Sequence, residues 1–277
     1  MAVVENGGME TVNHDCLAGL LNRENLSLPI HVYSEIDSTN TQAMRLLQSG
    51  NKAPFAVLAE RQTKGRGRMG REWFSADSGN LYLSFGFEPD FESERIQCFT
   101  LWLGLAICAV LNDPLQFPVA LKWPNDIVYN GKKLAGMLTE TRVSGAKVNS
   151  AIFGLGLNVN SSQDFWPVAL QNTACSLCEI SGKAEDINLI AATVIQAVLN
   201  AFQAFLARDW EAEFKLYWQR YDAMRDHTVT ISLHDENFTG RACGVDAHGA
   251  LLVQLPNNEI RSFQSGEASL HAAYYDK

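Results

Sequence analysis

Gln62-Thr63-Lys64-Gly65-Arg66-Gly67-Arg68-Met69-Gly70-Arg71-Glu72-Trp73 is the stretch on which the reading of this chain turns. Four basic residues, Lys64, Arg66, Arg68 and Arg71, fall within eight positions, and three glycines separate them. Glycine tolerates positive φ and lets backbone N–H groups come close to a ligand. Arginine offers a rigid fork of donors that matches phosphate and carboxylate. The composition predicts a loop that closes over an anion. A solvated turn with its arginines in water is the plain alternative.

Gly65, Gly67 and Gly70 also satisfy G-x-G-x-x-G. A dinucleotide fold needs a strand before that loop, a helix opening at it, and an acidic residue about 20 positions on. The run 54–60 reads as the strand before. After the loop come Trp73-Phe74-Ser75, a turn at Asp77-Ser78-Gly79-Asn80, and a second strand over 81–87. No helix opens at the loop, so the nicotinamide reading is rejected.

The chain has 277 residues, 47% of them hydrophobic, enough for a large core in one or two domains. Lys+Arg number 22 against 31 Asp+Glu, a net charge of -9. Such acidity argues against nucleic-acid binding, which rests on neutralising phosphates. Of six cysteines, two lie inside an apolar run and read as small core residues. Cys175-Ser176-Leu177-Cys178 is a C-x-x-C without the second pair or spaced histidines that zinc sites use. This cysteine usage fits a reduced, cytoplasmic protein. Residues 1–10 show no signal peptide. The longest apolar run, 101–111, is far short of the roughly 20 residues of a spanning helix. It reads as a buried helix stopped at Asp113-Pro114, and no membrane role is expected.

Residues 1–27 predict a polar extension with one short helix near Leu17–Leu21. A strand over 29–36 leads into Asp37-Ser38-Thr39-Asn40, four N-capping residues where one helix needs one. The surplus hydroxyls and amide either bind a neutral polar ligand or form a spare cap. A helix with Ala43, Leu46 and Leu47 on its apolar face ends at Gly50. After the buried helix near 96–112 come a strand over 119–123, Asn125-Asp126, and a strand over 127–129. Asn130-Gly131 is a strong hairpin signal. The return strand carries Lys132 and Lys133, which alternation places on opposite faces. Periodicity does not say which enters a site. Asp126 faces the lysine pair across the hairpin; a carboxylate and an ammonium together fit phosphate chemistry with a metal ion, or an exposed hairpin. Gly154 and Gly156 interrupt a buried strand over 151–160, as a close approach or a bulge. Residues 161–183 read as irregular and flexible. Helices occupy 187–206, capped by Asp186, and 210–224, with Phe214, Tyr217, Trp218 and Tyr221 as a core stripe. From His227 short alternating strands over 228–233, 238–245, 251–255 and 259–263, with a turn at Asp235-Glu236-Asn237, predict a small β-barrel.

The ordered set Asp37-Ser38-Thr39-Asn40, Gly65 to Arg71 with Trp73, Lys122-Trp123-Pro124-Asn125-Asp126, Lys133-Leu134-Ala135-Gly136 and Gly154-Leu155-Gly156-Leu157-Asn158 resembles the biotin protein ligase family. The tail from Gly240 to Glu267 resembles that family's C-terminal barrel. The resemblance implies an α/β (α+β) fold: a mixed-sheet catalytic domain of the biotin/lipoate ligase type over 28–226, and an SH3-like β-barrel over 227–277. It implies that biotin and MgATP give biotinyl-5′-AMP and pyrophosphate. Biotin then passes to a lysine of biotin carboxyl carrier protein.

By position, Lys133, Arg68 and Asp126 are the catalytic candidates. Ser38, Thr39, Asn40, Gln62, Arg66, Gly67, Arg68, Trp73, Lys133, Gly136, Gly154 and Leu157 are the biotin candidates. Arg66, Arg68, Arg71, Asn125 and Asn158 fall to the nucleotide, and Asp126 to magnesium. The stretch before Val32 has no room for the winged helix of bifunctional members, so a monofunctional ligase without operator binding is expected, as a monomer or homodimer. Residues 173–177 lack the tryptophan that some members set against the adenine. A lipoate or other acyl-acid ligase is the related alternative. A non-catalytic biotin or adenylate sensor is the alternative from another class; retention of Lys133, Arg68 and Asp126 speaks against it.

Overall fold

The computed structural model describes residues 11–24, 26–75, 79–233 and 236–270. In chain order its elements are α1 (His14–Arg23), β1 (Ile30–Ile36), α2 (Thr39–Gln48), β2 (Phe55–Gln62), β3 (Leu81–Phe87), β4 (Phe91–Glu92), α3 (Ile96–Asn112), β5 (Ala120–Lys122), β6 (Asp126–Tyr129), β7 (Lys132–Ser144), β8 (Lys147–Leu157), α4 (Leu177–Ser181), α5 (Ile187–Ala207), α6 (Glu211–Tyr221), β9 (Thr228–Leu233), β10 (Glu236–Val245), β11 (Leu251–Gln254), β12 (Ile260–Phe263) and β13 (Glu267–Leu270). Strands β1 to β8 form a mixed sheet in the order β1-β2-β3-β8-β7-β6-β5, with β4 beside β8. Among these strand pairs only β1 and β2 run parallel; the others are antiparallel.

The period-two pattern of these strands sorts residues onto two faces. Leu81, Leu83, Phe85 and Phe87 of β3 and Ala151, Phe153, Leu155 and Leu157 of β8 enter the main core. That core is filled by α3 and α5, whose apolar residues are buried nearly all round. The helical stretch Ser93–Asn112 that contains α3, and α5, are each long and apolar enough to cross a bilayer, yet most of each is buried inside this fold. Asp186 starts α5 by accepting from the backbone N–H groups of Asn188 and Leu189, which satisfies two donors no helical carbonyl reaches. The opposite face takes Phe55, Val57 and Ile152 and is covered by α2 only at one end, through Ala43. The uncovered remainder forms the wall of a cavity.

Strands β9 to β13 form a separate antiparallel sheet, β12-β11-β10-β9-β13, closed on Val229, Ile231, Leu251, Val253 and Phe263. The barrel-like pattern anticipates this sheet, but its last strand, β13, is visible in the sequence only through the family likeness. Contacts from α3 and from the residue after β5 tie it to the first part of the chain. Trp123 Nε1 donates to the Gly249 carbonyl at 3.0 Å, and Cys98 Sγ lies 3.2 Å from the Ala247 carbonyl.

Two expectations change. Residues 161–183 are not a loose segment. They hold a 3-10 turn at Gln163–Phe165 and the helix α4, and Cys175, Ser176 and Leu177 are buried. A reciprocal cap between Ser176 and Glu179 starts α4, so two orphan donors are satisfied at once. The second aromatic helix is shorter than the pattern implied, because Asp222 leaves the helix to bridge Leu121 of β5. All six cysteines are free, and the Cys175 and Cys178 sulfurs face backbone carbonyls. Residues Asp77 and Ser78 of one predicted turn, Asp235 of another, and the tail past 270 lie outside the described residues.

Asp222 gives a test of this packing. Burial pushes its carboxyl up to about 6, and a bond from the Met224 N–H offsets only part of that. Between about pH 4, its unfolded value, and about 6, the folded chain holds a proton that the unfolded chain releases. The folded state is therefore penalised as pH rises through this window, by on the order of 3 kcal/mol. Asp222→Asn keeps an acceptor for Met224 and removes the penalty. Its melting temperature should exceed wild type at pH 7.5 and converge with it near pH 4, read by calorimetry. Equal melting temperatures at both pH values would refute this account.

Candidate functional site

On the face away from α3 and α5, registered pairs line up across five strands. One row runs Lys122–Asp126–Gly136–Gly156–Tyr82, and the next runs Leu138–Gly154–Ser84. Three glycines in adjacent rows leave a trough where side chains would stand. A Cβ on Gly136 would fall 2.7 Å from Trp73 Cζ3, and one on Gly156 would collide with the same indole. A Cβ on Gly154 would overlap the Asn40 side-chain oxygen. The glycines are thus close-approach positions rather than bulges. Over them lies a cavity of about 230 Å³.

The glycine-arginine stretch roofs this cavity. Gly67 N–H donates to the Arg71 carbonyl at 2.7 Å and Trp73 N–H to the Gly65 carbonyl at 3.0 Å, which folds the stretch into a narrow hairpin. Met69 and Gly70 make its tip with φ of 55° and 75°. Its three arginines each reach a partner on a different part of the chain. Arg66 Nη2 lies 2.5 Å from Glu140 Oε2 on β7. Arg68 Nη1 donates to Asn125 Oδ1 at 3.2 Å, and Arg71 pairs with Glu267 on β13. Burial lowers the Arg68 guanidinium pKa, with Asp126 and Glu267 acting in the other direction. The Trp73 ring lies on the glycine trough, and its buried Nε1 has no hydrogen-bond partner among the described residues.

At one end of the cavity the groups are neutral and polar. Ser38, Thr39 and Asn40 are buried at the start of α2. Ser38 occupies the cap position but its side chain makes no capping bond, so the surplus of capping residues serves the cavity instead. Gln62 Oε1 accepts from the Thr39 N–H at 2.8 Å. Thr39 Oγ1 lies 3.1 Å from Gln62 Oε1 and 2.7 Å from Ser84 Oγ, which is 2.6 Å from Asn40 Oδ1. Two hydroxyl protons thus meet three oxygen–oxygen contacts.

The other end is cationic. Asn130 and Gly131, with φ of 46° and 74°, turn the hairpin between β6 and β7. Strict alternation would put Lys133 with Ala135 and Met137, toward the core. A bulge prevents this: Val128 faces Lys133 while Ile127 faces Ala135, so Leu134 is the extra residue. The bulge resets the phase, and Lys133 enters the cavity wall while Lys132 stays exposed. Lys133 Nζ stands 2.7 Å from Asp126 Oδ1 and 5.4 Å from the centre of the Trp73 ring. Its backbone is pinned on both sides by residues 173 and 175. Lys122 also lines the cavity, opposite Asp126. Burial lowers its ammonium pKa; Asp126 opposes that and Lys133 adds to it.

Most candidate residues converge here: Ser38, Thr39, Asn40, Gln62, Arg66, Gly67, Arg68, Arg71, Trp73, Asn125, Asp126, Lys133, Gly136 and Gly154 all line the cavity. Two do not. Leu157 is fully buried in the core, because a residue three places from Gly154 on a strand faces the other way. Asn158 spends its amide on the Cys175 carbonyl at 2.9 Å and does not reach the cavity. Sequence reasoning left out Lys122, Ser84, Glu140 and Glu267 as site residues. Lys122 had a signal, being the first residue of the motif that ends at Asp126; Ser84, Glu140 and Glu267 had none without strand register.

Residues 32–158 match the model of the biotin/lipoate A/B protein ligase family, and residues 227–271 match the biotin protein ligase C-terminal domain. The chain belongs to the biotin protein ligase family. It is 33% identical over 239 residues to the bifunctional ligase/repressor BirA of Bacillus spizizenii, covering 85% of this chain and 72% of that one. It is 35% identical to the biotin–[acetyl-CoA-carboxylase] ligase of Paracoccus denitrificans over 79% of this chain and 92% of the relative. The biotin protein ligase of Aquifex aeolicus in complex with biotin and ATP superposes with a TM-score of 0.74 at 31% identity, covering 88% of this chain and 98% of that one.

Arg71 and Glu267 join the roof to the second sheet by a solvent-exposed ion pair. Such pairs contribute at most about 1 kcal/mol to global stability. Glu267→Ala should therefore leave the melting temperature within about 2 °C of wild type. Trypsin should cut the variant several-fold faster after Arg66, Arg68 or Arg71. An unchanged cleavage rate would show that the second sheet does not hold the roof.

Proposed function

We propose that this protein joins biotin to ATP, forming biotinyl-5′-AMP and pyrophosphate, and then transfers biotin to a lysine of biotin carboxyl carrier protein. The observation that carries this reading is one cavity with a neutral, oxygen-rich end and a cationic end that meet at Lys133. An uncharged ureido head brings N–H donors to the oxygens of Thr39, Asn40 and Ser84. A carboxylate tail then points toward Lys133. Phosphates suit Arg68, Lys122 and Lys133, where charge-assisted hydrogen bonds are strong. The named activities of the similar proteins support the same assignment.

In the first step a biotin carboxylate oxygen attacks the α-phosphorus of ATP. The bond from that phosphorus to the bridging oxygen breaks, and pyrophosphate leaves with the electron pair. Two anions must touch, so the step needs positive charge held in place. Lys133 bridges the carboxylate and the α-phosphate; a bulge and two backbone bonds that fix where its stem begins support this role. Asn125 orients Arg68: its amide nitrogen donates to the Met137 carbonyl at 2.7 Å, which leaves its oxygen facing the guanidinium. A magnesium ion would be carried on the phosphates of ATP and held from the protein side by Asp126. Among the described residues no three histidine, cysteine or carboxylate side chains converge, which fits an ion carried mainly by phosphates and met by Asp126 alone. When bound, it neutralises phosphate charge.

In the second step the amine of the acceptor lysine attacks the acyl carbon. The bond from that carbon to the phosphate oxygen breaks, AMP leaves, and the amine gives up a proton as the amide forms. Asp126 is placed to orient that amine. The mixed anhydride is prone to hydrolysis, and the arginine-anchored roof keeps water from it. Residues 28–226 carry the chemistry, and 227–277 contribute Glu267 to the roof. A net charge of -9 supports action without nucleic acid, and six free cysteines support a cytoplasmic site of action.

Transfer of biotin to a carrier domain, measured for wild type beside Lys133→Ala, tests the reaction. The variant should lose on the order of 100-fold or more in rate. Biotin binding by wild type with no transfer would leave a sensor in place of a ligase. Arg68→Gly should still make adenylate but release it to solution, detected by chromatography. Normal formation without release would count against the roof as a water-excluding lid.

A further inference from the structure

Glu140 stands behind the cavity wall, on the same face of β7 as Gly136 and Leu138. One of its oxygens, Oε2, takes two donors. Asn40 Nδ2 reaches it at 2.8 Å and Arg66 Nη2 at 2.5 Å. Asn40 Nδ2 also donates to the Leu138 carbonyl at 3.3 Å. Both acceptors lack protons, since an ionised carboxylate and a backbone carbonyl only accept. An amide facing them must turn its nitrogen toward them. Its oxygen is thereby fixed on the other side, against Ser84 Oγ and over Gly154. Asn40 itself is only 4% exposed, so an amide held the wrong way round would leave buried polar atoms mismatched.

We propose that Glu140 is a positioning residue. It holds Asn40 with its oxygen toward the cavity, and it ties the roof, through Arg66, to that same amide. Recognition of a neutral N–H donor and closure of the roof are then set by one carboxylate. The consequence for biotin rests on the proposed ligase activity; the consequence for the roof does not.

Glu140→Gln is the direct test, because it keeps the shape and removes the charge. A neutral amide at 140 can donate as well as accept, so it no longer dictates the orientation of Asn40, and it loses the ion pair with Arg66. Loss of one charge-assisted contact predicts a biotin Kd raised by about 10-fold or more. The KM for ATP should rise several-fold less than the biotin Kd, since Glu140 acts on Asn40 directly and on the cationic end only through Arg66 of the roof. Glu140→Asp, which keeps the charge at shorter reach, should recover part of the biotin affinity. Arg66→Gln combined with Glu140→Gln should cost less than the sum of the two single changes, as expected for coupled groups. Without any ligand, trypsin should cut Glu140→Gln faster than wild type between Arg66 and Arg71. A biotin Kd within twofold of wild type would overturn the proposal. So would equal losses toward biotin and ATP with a lowered melting temperature, which would mark Glu140 as a general structural residue. If wild type itself fails to bind biotin while Glu140→Gln still opens the roof to trypsin, the ligand assignment fails and the coupling through Glu140 stands.

Discussion

Three missing side chains govern this structure. Gly136, Gly154 and Gly156 occupy adjacent rows of one sheet face, and each lies where a Cβ would strike a neighbour. The other face of the same strands is packed against two apolar helices, so the sheet cannot shift to relieve such a clash. The trough is therefore rigid. It seats Trp73 and Asn40, and through them it sets the height of the glycine-arginine roof and the position of the start of α2.

Charge is arranged around that trough in a graded way. The neutral end is built from hydroxyls and amides whose donors and acceptors are mostly used among themselves. The cationic end gathers Arg68, Lys122 and Lys133 around Asp126, with Glu267 also at its edge. Burial makes the charged forms of Arg68 and Lys122 less comfortable, which favours an incoming anion. Lys133 sits at the junction, held off strict alternation by a single extra residue in its strand. In the closed arrangement each arginine of the roof has a partner on a different part of the chain, so the roof is held at three separate points along its length.

The second sheet is part of this arrangement. It docks beside the end of β5 through Trp123 and Gly249 and presents Glu267 to Arg71. Its last strand thus borders the cationic end of the cavity rather than standing apart from it.

Much of this was legible in the residues. Period-two and period-3.6 patterns located β1, β2, β3, α3 and α5 closely, because burial on one face leaves a plain apolar signature. The basic glycine loop, the capping surplus at 37–40 and the Asn130-Gly131 turn each pointed to their local conformation and, in order, to the family. Leu157 could have been excluded by the same alternation, since it is out of phase with Gly154. The sequence by itself could not decide which groups meet. The choice between Lys132 and Lys133 depended on a bulge that only pairing with β6 reveals. The packing of 174–177 depended on hydrogen bonds to Lys133 and Asn158, which lie outside that segment. Ser84, Glu140 and Glu267 became site residues only through strand register and the docking of the second sheet. Local pattern comes from each residue's own solubility and backbone preference; convergence comes from contacts between residues far apart in sequence, such as Thr39 with Ser84, Arg66 with Glu140 and Asn40 with Glu140, and no short window of sequence holds those.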